Sequence, residues 1–194
     1  FLGGAAAKPL KEQGFAIDGG RLTITDPEMF VSDTRKLIRL FWIANERDLD
    51  IHPEAMTAAR RSLWALTRQA RVDDDSRSMF LDIVSGKNHS NRVLPLMNEA
   101  GVLGRFLPEF GRIVGQTQFN MYHHYTVDEH LLRTVGNLIE VEKGDMTAEL
   151  PLSSQLITAI TNRKALFVAA FLHDIGKGRK EDHSIVGARI ARKL

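Results

Sequence analysis

The run Arg163-Lys164-Ala165-Leu166-Phe167-Val168-Ala169-Ala170-Phe171-Leu172-His173-Asp174-Ile175-Gly176-Lys177 is apolar on almost every side of a helix until it ends in a histidine and a carboxylate. A helix that is apolar all round belongs inside a helical assembly. The spacing therefore predicts a central helix over 163–174, with Gly176 as its C-terminal cap. The apolar part, 165–172, is about half of the roughly 20 residues that a bilayer span requires, so it reads as buried helix.

Helical signals continue on both sides of this run. Thr126-Val127-Asp128-Glu129 has the form of a capping box and opens a helix predicted to reach about residue 142. On that helix His130 shares a face with Val127, Leu131, Thr134 and Leu138, just as His173 shares one with Leu166, Ala169 and Ala170. Both histidines are therefore expected to point inward, from different helices. A loop over 144–154 and a short helix over 156–160 separate the two, and Asp182 or Ser184 can start a last helix. Upstream, Asp33 can cap a helix with Leu37, Leu40, Phe41 and Ala44 on one face, and Pro53 suits the first turn of the next. Asp18-Gly19-Gly20 between Phe15-Ala16-Ile17 and Leu22-Thr23-Ile24 predicts a tight hairpin. The fold class is all-α, mainly helical, with this one small β-hairpin near the N-terminus, and a sheet of four or more strands would count against it. A soft boundary falls near Gly115.

Composition limits what such a chain does. With 194 residues there is room for one large or two small domains, and 43% hydrophobic with 26% charged residues is ordinary for a soluble globular protein. The absence of cysteine excludes disulfides, thiolate metal sites and cysteine nucleophiles. A formal net charge of +2 gives no support to bulk electrostatic binding of nucleic acid. No membrane segment or leader pattern is visible, and a cytoplasmic location is expected. The chain opens at Phe1 without an initiator Met and stops at Leu194 inside a helical pattern, so it reads as a piece of a longer protein.

Histidine is the informative residue type. A buried His-Asp pair is costly unless it is hydrogen-bonded or holds a cation. Imidazole and carboxylate ligands from two helices favour Mn, Fe, Co or Zn over Ca. A lone inward histidine is more often a hydrogen-bonded core residue, and two of them beside Asp174 leave the structural and metal readings both open.

Leu172-His173-Asp174-Ile175-Gly176-Lys177 resembles the signature of the HD superfamily of metal-dependent phosphohydrolases. Tyr122-His123-His124-Tyr125-Thr126-Val127-Asp128-Glu129-His130 and Lys177-Gly178-Arg179-Lys180, followed by Asp182-His183-Ser184, resemble more narrowly the uridylyltransferase/uridylyl-removing enzymes of nitrogen regulation. So does the 91–110 stretch with its Leu-Pro-Glu-Phe. The likeness covers most of the chain from about residue 14. It implies a helical connector over 1–115, following an absent nucleotidyltransferase domain, and the N-terminal part of an HD domain over 116–194.

That resemblance implies metal ligation by His130, His173 and Asp174, with a fourth ligand beyond residue 194. It implies catalytic roles for Asp174, Lys177 and His183, and substrate contact or orientation of His130 by His123, Asp128 and Arg179. The implied reaction is hydrolysis of a uridylyl-tyrosine phosphodiester on the PII signal protein, with Mn or Mg as the divalent metal and Fe, Co or Zn as alternatives. Glutamine would act through domains absent from this chain. Neither nucleic acid nor membrane is an implied partner, and association through the face of Ile185, Ile190 and Leu194 is expected. The competing readings are an HD hydrolase of a nucleotide and a non-catalytic helical interaction module. Asp48-Leu49-Asp50 has the spacing of a nucleotidyltransferase metal pair, but it follows a helix with no Gly-Ser turn before it and reads as a helix-end loop, and Arg163 and Lys164 read as part of a solvated face.

Overall fold

The structure, a computed structural model, describes residues 7–86, 89–117 and 125–193. Lys8–Pro9 (β1), Phe15–Asp18 (β2), Arg21–Ile24 (β3) and Asp50–Ile51 (β4) form one sheet in sequence order. The expected hairpin is its centre: β2 and β3 pair antiparallel, with Gly19 and Gly20 both left-handed at φ 53° and 80°. Positive φ at both turn residues matches the natural twist of adjoining strands.

The expectation of a lone hairpin is corrected, because β1 adds antiparallel to β2 and β4 adds parallel to β3. Each added strand is only two residues long, and neither shows an alternating pattern. Pro9 lacks an N–H and suits an edge. The parallel edge depends on the intervening helices returning the chain to β3, which is a non-local event.

The sheet thus reaches the four strands that were to count against the all-α class, but its edge strands have two residues each and the chain remains mainly helical. Met29–Ser32 (α1), Arg35–Arg47 (α2), Pro53–Arg61 (α3), Arg68–Val72 (α4), Asp74–Val84 (α5), Ser90–Glu99 (α6), Val102–Phe106 (α7) and Pro108–Gly111 (α8) precede Gly115. Val127–Lys143 (α9), Pro151–Ile157 (α10), Arg163–Leu172 (α11) and His183–Ala191 (α12) follow it. One cluster of buried apolar side chains extends from Phe15 to Ile190, so helices on both sides of Gly115 share a core. No helix among the described residues is long and apolar enough to cross a membrane.

Two packing layers set the later chemistry. α6 lies along α9, where Val93, Leu94 and Met97 are buried together with Val127, Leu131 and Val135. α11 is anchored by Phe171, which stacks on Phe110 at 5.3 Å between centroids and meets Phe80 edge-on at 5.8 Å. Aromatic pairs of this kind add about 0.5–1.5 kcal/mol beyond the area they bury.

α11 is less central than its composition suggests. Phe167, Phe171 and Leu172 are buried, but Ala165 and Ala169 are exposed. The helix ends at Leu172 rather than Asp174, and its last residue is followed by right-handed His173 at φ −59°. Gly176 is therefore not its cap. It is buried, and a Cβ there would lie 2.2 Å from the His183 carbonyl oxygen and 2.7 Å from the Gly187 nitrogen. Backbone contact with α12, not a positive φ, requires glycine. α10 also begins earlier than expected, at Pro151, and buries none of its side chains. On α12 Ile185 is exposed but Ile190 is buried, so the face expected to be open is open only in part; Leu194 lies outside the described residues.

Candidate metal centre

The capping box forms at the start of α9, where the Glu129 carboxylate accepts from the Thr126 N–H at 3.4 Å. This fixes the helix origin four residues before His130. The other histidine is set by α11: the aromatic anchor at Phe171 places His173 at the helix end, where Nδ1 lies 2.7 Å from the Ala170 carbonyl oxygen. A carbonyl accepts, so that nitrogen carries the proton, and in the neutral ring Nε2 presents a lone pair.

The two Nε2 atoms of His130 and His173 are 3.1 Å apart, with ring planes at 77°. Asp174 Oδ2 lies 3.6 Å from His130 Nε2 and 3.5 Å from His173 Nε2. All three ligand atoms fall within 4.8 Å of one another. Two imidazole nitrogens this far apart, each roughly 2.0–2.1 Å from a shared ion, would subtend about 100° at it. The donor set fits a divalent transition ion, and the proton on His173 Nδ1 leaves the correct nitrogen for it.

The histidines do not point into the interior as their apolar neighbours suggested. Their side chains are 35% and 40% exposed, whereas that of Asp174 is 11% exposed. The carboxylate is sunk and the rings reach water.

Lys177 closes the inner side, its Nζ 2.7 Å from Asp174 Oδ2. Arg179 lies in an ion pair with Glu109 of α8. Asp128 is buried, with Oδ2 accepting from Asn98 Nδ2 at 2.9 Å and Oδ1 from the Gly115 N–H at 3.0 Å. It bears on His130 through the helix they share, and both of its oxygens are already engaged within the protein. His183 is exposed at the first position of α12. His123 and His124 lie outside the described residues. Asp48 ends α2 in a left-handed conformation and pairs with His89 and Arg92, consistent with a helix-end loop.

Two residues that the sequence reading did not single out for this region matter to it. Asn98 is one. Arg163, expected on a solvated face, instead clamps Glu142 at 2.5 and 2.7 Å, donates to the carbonyls of Ser85 and Gly86, and lies over the Phe167 ring. No local pattern announces either residue, because their partners are 21 to 78 positions away.

Comparison with known proteins matches two segments of the chain to known families. Residues 15–106 match the family described as the uridylyltransferase GlnD third domain, and residues 127–194 match the HD domain family. A protein of Azospirillum brasilense named bifunctional uridylyltransferase/uridylyl-removing enzyme is 48% identical over 190 residues, covering 98% of this chain and 20% of the relative. Proteins of the same name are 50% identical over 195 residues in Phenylobacterium zucineum and 51% identical over 194 residues in Caulobacter vibrioides. These alignments cover 100% and 99% of this chain, and 21% of each relative. The chain thus spans about a fifth of the length of the curated relatives it matches. With both segments matched in order and about half the residues identical from end to end, the chain is similar over its whole length to a stretch of the bifunctional uridylyltransferase/uridylyl-removing enzymes.

Proposed function

We propose that this chain carries the hydrolytic centre of such an enzyme and takes part in metal-dependent removal of UMP from the uridylylated PII signal protein. The observation that carries the reading is the convergence of three ligand atoms, from His130, His173 and Asp174, on a partly open face. Relatives named as uridylyl-removing enzymes give the reaction class.

His130 and His173 would hold a divalent cation through Nε2, and Asp174 through Oδ2. Mn or Mg is the preferred ion, with Fe, Co or Zn as alternatives. When bound, such an ion supplies Lewis acidity, acidifying water and offsetting charge on phosphoryl oxygens. The Ala170 carbonyl accepts from His173 Nδ1 and so turns Nε2 toward His130 and Asp174. Lys177 pairs with Asp174 and would offset part of the negative charge gathered at the site when a phosphoryl group is bound. His183 and Arg179 lie on the segment following Lys177, and His183 would meet substrate phosphate. Glutamine control would act through parts of the protein other than this chain, and the compartment would be the cytoplasm.

The test is His173→Ala in the full-length protein. Removal of UMP from PII should fall by at least 100-fold, in line with loss of a metal ligand, while uridylyl transfer persists. Equal loss of both activities would assign His173 to folding instead. Hydrolysis of free nucleotides in preference to uridylylated PII would favour a nucleotide phosphohydrolase. Lack of any phosphodiester hydrolysis in metal would favour an interaction module.

A further inference from the structure

We infer that Asn98, which lies in the segment matched to the third-domain family and outside the HD segment, is a positioning residue for the metal centre, acting through Asp128 on His130. The inference rests on the metal reading of His130, His173 and Asp174. Asp128 and His130 stand two residues apart at the start of α9, so their side chains leave the helix about 200° apart. One faces α6 and the other faces His173.

The α6 side is a fixed mount. Asp128 is 4% exposed, and its two oxygens accept from Asn98 and from the Gly115 N–H. Beside it, the Val127 N–H donates to the Gln116 carbonyl at 3.0 Å. Gly115 is left-handed at φ 68°, which turns the chain so that its N–H meets the carboxylate. The first turn of α9 is thereby fixed in rotation and translation by groups outside the helix. His130 is on that turn, and its Nε2 must stay close to the 3.1 Å spacing from His173 Nε2 for one ion to be shared. A ligand constellation is productive only within about 0.5 Å of its geometry, so loss of the mount should be felt at the metal. The Asn98 side chain hydrogen-bonds Asp128, two residues away from the ligand His130 itself.

The experiment titrates the 194-residue chain with Co2+, following the visible absorption of the bound ion, beside thermal unfolding of the metal-free protein. Asn98→Leu should weaken Co2+ binding about 10–100-fold, the range for partners behind metal ligands, and should alter the spectrum. Asn98→Asp, which sets a second carboxylate against Asp128, should be at least as severe. The exchange Asn98→Asp with Asp128→Asn rebuilds the hydrogen bond with its donor reversed and should restore affinity to within about threefold of wild type. A control, Leu103→Ala in α7, should lower the melting temperature without changing the spectrum. Unchanged Co2+ affinity and spectrum in Asn98→Leu, with only a lower melting temperature, would overturn the positioning role and leave the metal reading intact. Failure of the exchange to restore binding would overturn it as well. If Asn98→Leu does not fold, the exchange variant alone decides. Absence of Co2+ binding by the wild-type chain would overturn the metal reading and this inference together.

Discussion

Two carboxylates near the start of α9 and the end of α11 show opposite designs. Around Asp128 every acceptor meets a donor: Asn98 Nδ2 on one oxygen, the Gly115 N–H on the other. Around Asp174 potential ligand atoms converge, with Oδ2 about 3.5 Å from two imidazole nitrogens that are themselves 3.1 Å apart. Lys177 supplies positive charge to that oxygen from the inner side, and the histidine rings remain open to water. A buried carboxylate with matched donors is a fastening. A carboxylate set beside two converging imidazole nitrogens is an arrangement that could hold a cation, and on the proposed reading it gains most of its stabilisation when the cation binds.

The largest expected effect separates these two designs directly. Asp128→Ala should destabilise the metal-free chain by about 2–5 kcal/mol, because it strands two donors in the interior at roughly 1–3 kcal/mol each. Asp174→Asn should cost less metal-free stability than Asp128→Ala, because the amide oxygen still offers Lys177 an acceptor. It should nevertheless abolish most metal affinity, exceeding the roughly 10–100-fold cost of an outer partner. Urea unfolding read beside Co2+ titration checks both variants. Equal destabilisation by the two would mean that Asp174 is a fastening too, and the contrast would collapse.

A smaller effect tests what stands behind the open cluster. Gly176, two residues past Asp174, leaves no room for a methyl group against the His183 carbonyl and the Gly187 nitrogen. Gly176→Ala must push α12 away from the end of α11, at about 1–3 kcal/mol for overpacking. Because the same backbone carries His173 and Asp174, Co2+ affinity should fall with stability. Loss of stability with full metal affinity would show that the cluster holds its shape without α12.

What the sequence made legible in this region was local or carried by family likeness. The capping box at Thr126 and Glu129, the hairpin turn at Gly19 and Gly20, and the pairing of His130 with the His173-Asp174 dyad could all be read from spacing and resemblance. The rest depended on distant partners. Two-residue strands at each edge of the sheet have too little length for a pattern. Arg163 read as a surface charge because Glu142, Ser85 and Gly86 are brought to it only by packing of α11 on α9 and α5. Gly176 read as a helix cap because glycine after a helix usually is one, and nothing in the sequence shows how closely α12 approaches. The exposure of the two histidines was misjudged for a related reason: apolar neighbours on a helix face indicate burial of the face as a whole, not of the residue at its end.

The smallest expected effect concerns the cap that holds α12 in place behind Gly176. Asp182 accepts from the backbone N–H groups of Ser184 and Ile185 at 2.9 and 3.2 Å. The Ile185 and then the Ser184 N–H hold its carboxyl below the usual carboxylate range, outweighing the small opposing effect of desolvation. A carboxylate with a lowered folded-state pKa stabilises the fold above its unfolded value of about 3.9, and that contribution is lost as pH falls through the lower folded value. Protonation removes both the acceptor charge and its favourable placement at a helix N-terminus. Amide exchange at Ser184 and Ile185 should therefore quicken, relative to the intrinsic rate, as pH drops below about 4. Asp182→Asn keeps a capping side chain that does not titrate in this range, so its protection should show no such step. If the step persists in Asp182→Asn, another acid holds α12. The Asp128 mount, whose donors come from α6 and the Gly115 turn, should keep its own amide at Gly115 protected while α12 loosens, since the two carboxylates are fastened by different parts of the chain.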